Sequence, residues 1–87
     1  RAAELREFAQ RRLLRYAEER RGEKRSLLVE EVLEEDGRRV AVGTTEDYVK
    51  ACFPDPPNGA EAGSLIEGRL AGWSRGRARM EKTREGA

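Results

Sequence analysis

The sequence is poor in the residues that most often carry enzyme chemistry. Its 87 residues include one cysteine and no histidine, so the chain cannot form an internal disulfide, a cysteine-built iron–sulfur centre or a histidine proton shuttle. Ser26, Ser64 and Ser74 have no histidine to activate them as nucleophiles. Glycine-rich phosphate-binding loops are also absent. We therefore expect no catalytic and no metal-binding residues, and we expect this segment alone not to be an enzyme.

Long apolar segments are missing as well. No uninterrupted apolar run exceeds three residues, which is too short for a membrane span or for the core of a signal peptide. We expect no membrane partner, and the low cysteine content fits a cytoplasmic protein. The chain begins at Arg1 without a methionine and inside a helical pattern. This start predicts that the segment is the tail of a longer polypeptide.

Charge is abundant and unevenly distributed. Charged residues make up 40% of the chain, yet the formal net charge is only +1. Residues 1–21 carry a net charge of +3, residues 23–36 of −4 and residues 68–87 of +4. The carboxylates of the acidic strip are neighbours in sequence, and neighbouring strand residues face opposite ways. We therefore expect solvated acids there and no catalytic carboxylate pair.

One amphipathic helix is predicted at the start of the chain. Glycine and proline are absent between Ala2 and Arg21, and apolar residues recur at helical spacing until Gly22 ends the pattern. Residues 1–22 should thus form a linker helix that packs on a core or on a neighbouring domain; a coiled coil is disfavoured because the heptad is not sustained. The predicted apolar stripe consists of Leu5, Phe8, Ala9, Leu13, Tyr16 and Ala17.

Short strands are predicted after Gly22. Asp36-Gly37 indicates a type I′ hairpin, and the proline-rich stretch from Pro54 to Ser64 indicates a loop. The pattern is typical of a mainly β fold with one N-terminal helix and a small, five-stranded, antiparallel OB-like barrel over residues 23–80, followed by a frayed tail over residues 81–87. The predicted strands are Ser26–Glu35, Arg38–Gly43, Tyr48–Phe53, Leu65–Trp73 and Arg77–Met80.

The best functional signal is the interleaving of cations with aromatic residues in these strands. Cations neutralise phosphates and aromatic rings stack on exposed bases, as in barrels that hold single-stranded or looped nucleic acid. Each residue also has a plain structural interpretation, since arginines keep surfaces soluble and Trp73 and Phe53 can be core residues. Cys52 is expected to be a buried apolar side chain. The candidate RNA-binding residues are Arg38, Arg39, Tyr48, Lys50, Arg69, Trp73, Arg75 and Arg77.

The order of these motifs resembles a known family. The run from Leu27 to Glu31, the hairpin at Asp36-Gly37 and the stretch from Val42 to Ala51 are similar to the TRAM domain of the radical-SAM tRNA methylthiotransferases, the 2-methylthioadenine synthetase family. That family shows "V-L-V-E", a hairpin and then "G-x-T-x-x-Y-I-x-V". Ala51 replaces the usual final valine, and the segment from Gly63 to Met80 matches the closing strands loosely. The positions in agreement are Gly43, Thr45, Tyr48 and Val49.

This resemblance carries expectations about function. It implies a tRNA-binding module that positions an anticodon-loop adenosine for methylthiolation by a radical-SAM catalytic domain of the same polypeptide, and Thr45 joins the RNA-binding candidates. It also implies that the parent enzyme uses S-adenosylmethionine and iron–sulfur clusters, whereas this segment holds no cofactor. The rival hypothesis is an intramolecular docking domain without direct RNA contact.

Overall fold

The computed structural model describes residues 2–83, with side chains from Arg6 onward. Helix α1 spans Ala2–Glu19 and is followed by five strands. The side chain of Leu5, which belongs to the predicted stripe, and residues 84–87 of the predicted tail lie outside the described part. The strands are β1 (Lys24–Glu35), β2 (Arg38–Thr45), β3 (Lys50–Pro54), β4 (Leu65–Ser74) and β5 (Arg77–Glu81).

The five strands form one sheet that closes into a ring in the order β1-β2-β3-β5-β4. All neighbouring strands are antiparallel except β3 and β5, which are parallel. The expectation of a fully antiparallel sheet is wrong at this pair. The physical reason is parity, because strand direction cannot alternate all the way around a closed ring with an odd number of strands. The sheet is therefore mixed.

The core fills the interior of the ring with alternate residues of each strand. Phe53 and Ala41 are fully buried in the central cluster, whereas their neighbours Cys52 and Val40 are buried outside it. Small residues let the strands approach closely. A Cβ on Gly68 would lie 2.6 Å from the Phe53 ring, and one on Gly43 would overlap the Leu28 carbonyl. The strands therefore approach closely at these two positions, and Phe53 is the largest of the fully buried side chains in the interior.

The helix packs on β4 and β5 through its C-terminal half. Ala17 is fully buried, and Leu13 and Tyr16 pack against the core. Phe8, which the helical stripe placed on the packing face, is 57% exposed. Backbone bonds from the Gly22 N–H to the Leu70 carbonyl (2.7 Å) and from the Leu70 N–H to the Glu23 carbonyl (2.9 Å) fix the end of the helix to β4. Among the described residues, no helix combines the length and the apolar character that crossing a lipid bilayer requires.

Strand boundaries differ from the expected ones at the third strand. Tyr48 was expected to begin it, but β3 begins at Lys50 and Tyr48 lies in the preceding turn with φ of 65°. The reason is a tight set of bonds around Thr45: its N–H donates to the Val49 carbonyl, its carbonyl accepts from the Tyr48 N–H, and its Oγ1 accepts from the Val49 N–H. These bonds close the turn before the ladder with β2 can start.

Candidate nucleic-acid interface

Two turns of the same type face each other across one side of the ring. Asp36-Gly37 joins β1 to β2 and Arg75-Gly76 joins β4 to β5, and all four residues have positive φ. Positive φ at both central residues is the requirement of a two-residue type I′ hairpin, so the hairpin predicted at Asp36-Gly37 is confirmed. The Arg75 guanidinium pairs with the Asp36 carboxylate and lies 3.5 Å from Glu35. The two turns are thus joined by ion pairs.

A groove of about 160 Å³ lies between these turns on the outer side of β2 and β3. Val40, Cys52 and Pro54 line it from the strands, and Ser74 lines it from the end of β4. Burial raises the pKa of the Cys52 thiol, so the thiol stays protonated at neutral pH and is a poor nucleophile. The expected role of Cys52 as a buried apolar residue is confirmed by its 3% exposure.

Three arginines line this groove, which we call the β2–β3 groove, and Arg77 lies beside it, bound to the groove residue Glu35. Arg38 comes from β2, Arg75 from the β4–β5 turn, and Arg77 and Arg79 from β5. Their partners differ. Arg38 lies 3.6 Å from Asp55, while Arg77 donates from one nitrogen to both Glu35 oxygens at 2.9 and 3.0 Å. Within residues 6–83, Arg79 forms no ion pair and is exposed. Arg79 is therefore the most accessible of these arginines to a bound anion, and Arg77 is the least accessible.

Arg79 was not among the candidates drawn from the sequence, although a signal for it was present. Arg77 and Arg79 are two residues apart on one strand, so their side chains leave the same face of the sheet. Arg79 also lines a second hollow beside Arg38 and Lys82. The alternation of arginine along β5 was thus the pattern that could have identified it.

The other predicted cations lie apart from the β2–β3 groove. Arg39 donates to the Ala60 carbonyl at 3.2 Å, and Arg69 donates to the Gly22 carbonyl at 2.6 Å. Lys50 lies at the far end of β3, where its ammonium is 2.8 Å from Glu30. Of the six predicted cations, two therefore line the groove, Arg77 binds a residue that lines it, and three lie elsewhere.

Glu30 has a distinct electrostatic environment at this far end. It accepts hydrogen bonds from the Lys50 ammonium and from the Thr44 hydroxyl, both at 2.8 Å. The bond to Lys50, followed by the bond to Thr44, lowers the pKa of the Glu30 carboxyl. The Lys50 ammonium is therefore paired with a carboxylate in this structure.

The remaining three candidates have very different exposures. Thr45 is 5% exposed and its hydroxyl is used within the turn that it closes. Trp73 is half-buried against the core and borders a hollow beside Leu14 of α1. Tyr48 is 89% exposed. Of the predicted aromatic and hydroxyl residues, Tyr48 alone presents most of its side chain to solvent.

Within the described residues, no three acidic or cysteine side chains lie close enough together to hold a metal ion. In comparisons with known proteins, no family model, no curated protein and no solved structure matches this chain.

Proposed function

We propose that this domain is an OB-type barrel that binds RNA in the β2–β3 groove. The strand order supports this class: β4 returns by a long connection to pair with β1 of the β1-β2-β3 meander, which is the Greek-key order 4-1-2-3. OB folds are five-stranded Greek-key barrels that use the face of strands 2 and 3, together with the β1–β2 and β4–β5 loops, to hold oligonucleotides. The arginines gather on that same face.

The observation that carries the proposal is this gathering of arginines from three separate elements. Folding alone does not demand it, since exposed arginines can be scattered over a surface at no cost. Arg38 and Arg75 each have one aspartate partner that is easily exchanged. Asp55 and Asp36 have side chains 61% and 76% exposed, and surface ion pairs contribute only about 0–1 kcal/mol. A phosphate can therefore replace either carboxylate at little cost.

Arg77 has a different role in this proposal. Its side chain and that of Glu35 are 18% and 24% exposed, and its Nε is buried and has no hydrogen-bond partner among the side chains and backbone that the structure describes. Separating this pair would leave a partly buried charge uncompensated. Arg77 therefore holds Glu35 and the β1–β2 turn in place, while Arg38 and Arg79 provide the direct phosphate contacts.

The proposal is tested by the salt dependence of RNA binding. Replacing Arg38 and Arg79 by alanine should weaken binding and reduce the slope of log K against log salt by about 0.7–0.9 per contact. The matched control, Lys24→Ala with Arg39→Ala, removes the same charge outside the groove and should leave affinity and slope near the wild-type values. Equal losses in the two double variants would contradict the assignment of the groove.

The narrower identity suggested by the resemblance remains a prediction: a TRAM domain that binds tRNA beside a radical-SAM methylthiotransferase domain. A C-x-x-x-C-x-x-C cluster upstream of Arg1 would support it, because three thiolates at that spacing can hold a cluster with one iron open for S-adenosylmethionine. The isolated segment should show no methylthiotransferase turnover with S-adenosylmethionine and a reductant.

The alternative function, docking on a neighbouring domain, is favoured by one observation. Phe8 and Leu14 in α1 are 57% and 42% exposed, and large exposed apolar side chains often mark interfaces. Docking through these residues should persist at high salt, whereas RNA binding through arginines should weaken steeply. The same salt titration therefore distinguishes the two functions.

A further inference from the structure

The turn between β2 and β3 contains a residue that neither burial nor backbone preference explains. Tyr48 is 89% exposed, so its ring packs on little. Its φ of 65° lies in the left-handed region, which is unfavourable for a bulky residue and which glycine or asparagine adopts more easily. An exposed aromatic residue that adopts a positive φ and gains no packing from it is a candidate for function.

This turn is also held rigidly. Besides the bonds at Thr45, the Arg25 Nε donates to Asp47 at 3.1 Å, and the Ser26 N–H donates to Glu46. Arg25 lies 3.3 Å from the Tyr16 hydroxyl as well, which connects the turn to α1. The Tyr48 ring is therefore presented from a fixed backbone, which reduces the entropy lost when a ligand stacks on it.

Within residues 6–83, one arginine of α1 that forms no ion pair adjoins this turn, and two more share a neighbouring hollow with it. Arg12 borders a hollow of about 420 Å³ together with Asp47 and Val49. Arg11, Arg12 and Arg15 are exposed, and none of them forms an ion pair within residues 6–83. The Arg12 guanidinium lies 5.8 Å from the centre of the exposed Phe8 ring. Free arginines beside exposed aromatic rings are the combination that binds phosphates and bases together.

We propose that Tyr48 and the α1 arginines form a second RNA contact that receives unpaired nucleotides, with Tyr48 stacking on a base and Arg12 and Arg15 contacting phosphates. This inference rests on the proposed RNA binding in the β2–β3 groove. The two contacts lie at opposite ends of β2, and the five residue steps from Val40 to Thr45 span about 17 Å of strand. The ligand class is therefore an RNA with a loop or single-stranded extension, since a base in a continuous duplex is not free to stack on a protein ring.

The experiment compares two labelled RNAs, a hairpin with a single-stranded loop and a blunt duplex of equal length, by fluorescence anisotropy at low salt. Tyr48→Asn should weaken hairpin binding about 5- to 100-fold and leave duplex binding within about twofold, whereas Tyr48→Phe should bind both as the wild type does. Arg12→Ala with Arg15→Ala should weaken hairpin binding and reduce its salt slope by about 0.7 per contact. Leu65→Asn is the matched control, because it also removes an exposed apolar side chain (68% exposed) but should leave both affinities unchanged.

The outcomes separate this inference from the proposed function. The second contact would be overturned if either Tyr48→Asn or Arg12→Ala/Arg15→Ala bound the hairpin as the wild type does. If Arg38→Ala/Arg79→Ala still bound more weakly, the proposed binding in the β2–β3 groove would remain supported. Equal losses for hairpin and duplex would overturn the preference for unpaired nucleotides. If the wild-type protein binds neither RNA, the proposed function itself fails. Thermal unfolding followed by circular dichroism confirms that each variant is folded.

Discussion

The turns at the two ends of β2 differ in what holds them and in what they present. Asp36-Gly37 has residues suited to positive φ, and ion pairs connect it to the opposite turn. The β2–β3 turn contains Tyr48, which is not suited to positive φ and lies beside helix arginines without ion pairs among residues 6–83. At the first turn both positive-φ positions hold suitable residues, whereas at the second an unsuited residue is held in place by bonds that include an Arg25–Asp47 ion pair. The first turn therefore borders the β2–β3 groove through paired charges, whereas the second presents an exposed aromatic ring on a less favourable backbone.

The largest expected effect concerns the strand that connects the two turns. Gly43 lies within β2, and a Cβ there would overlap the backbone of β1 at Leu28. Gly43→Ala should therefore lower the free energy of unfolding by about 3 kcal/mol or more, because backbone must move to admit it. Gly37→Ala is the control, since its Cβ would meet open space. Chemical denaturation that ranks the two variants equally would contradict the close approach of β1 and β2.

The second expected effect concerns the ion pair beneath the first turn. Glu35→Ala should lower the free energy of unfolding by about 2 kcal/mol, because it leaves the partly buried Arg77 without its carboxylate. The double variant Glu35→Leu/Arg77→Met should recover most of that loss, since no uncompensated charge remains. Urea denaturation of both variants tests this, and an unchanged midpoint in Glu35→Ala would show that Arg77 does not need its partner.

The third expected effect tests the preference for glycine at the positive-φ position of the first turn. Gly37 has φ of 78°, and no atom of the described part of the chain lies within 4 Å of the position that a Cβ would take. Gly37→Val should thus lower the free energy of unfolding by about 1–2 kcal/mol, because valine disfavours a positive φ. The measurement is the denaturation midpoint. A neutral result would show that the backbone of this turn relaxes freely.

At Tyr48 we expect a change in stability of the opposite sign to that at Gly37. Asparagine tolerates positive φ better than tyrosine does, and the exposed ring contributes little burial. Tyr48→Asn should leave stability unchanged or raise it by up to about 1 kcal/mol, although it weakens RNA binding. A clear fall in the thermal midpoint would show that the ring stabilises the fold, and the functional interpretation of the turn would lose its basis.

The smallest expected effect is the pH dependence from Glu30, near the start of β3. Its pKa is lowered in the folded state by Lys50 and Thr44, so its stabilising contribution is present above the ordinary value of 4.5 and is lost as the pH falls through the lowered folded value. Lys50→Met should raise the pKa of Glu30, as followed by NMR titration of the side-chain carboxyl. If the pKa of Glu30 were the same in this variant as in the wild type, Lys50 would not pair with Glu30 in solution.

Several elements could be predicted from the sequence because their causes are local. The helix follows from apolar spacing and from the absence of glycine and proline before Gly22. The first hairpin follows from Asp36-Gly37, since positive φ at two successive positions selects those residues. The burial of Cys52 and Phe53 follows from an apolar strand. The sequence around Arg77 could not show that this residue pairs with a carboxylate, because its partner Glu35 is 42 positions away in the chain.

Tertiary structure alone decided which residues share a surface. Closure of the ring brought the β1–β2 turn against the β4–β5 turn and thereby placed Arg38, Arg75 and Arg79 around one groove, while Lys50 and Arg69 were directed elsewhere. The position of Tyr48 in a turn depended on bonds that form only when β2 and β3 pair around Thr45. Local preference determines where a strand or a turn can form, but the direction of each side chain depends on strand register and curvature, which are fixed by packing between residues far apart in the chain.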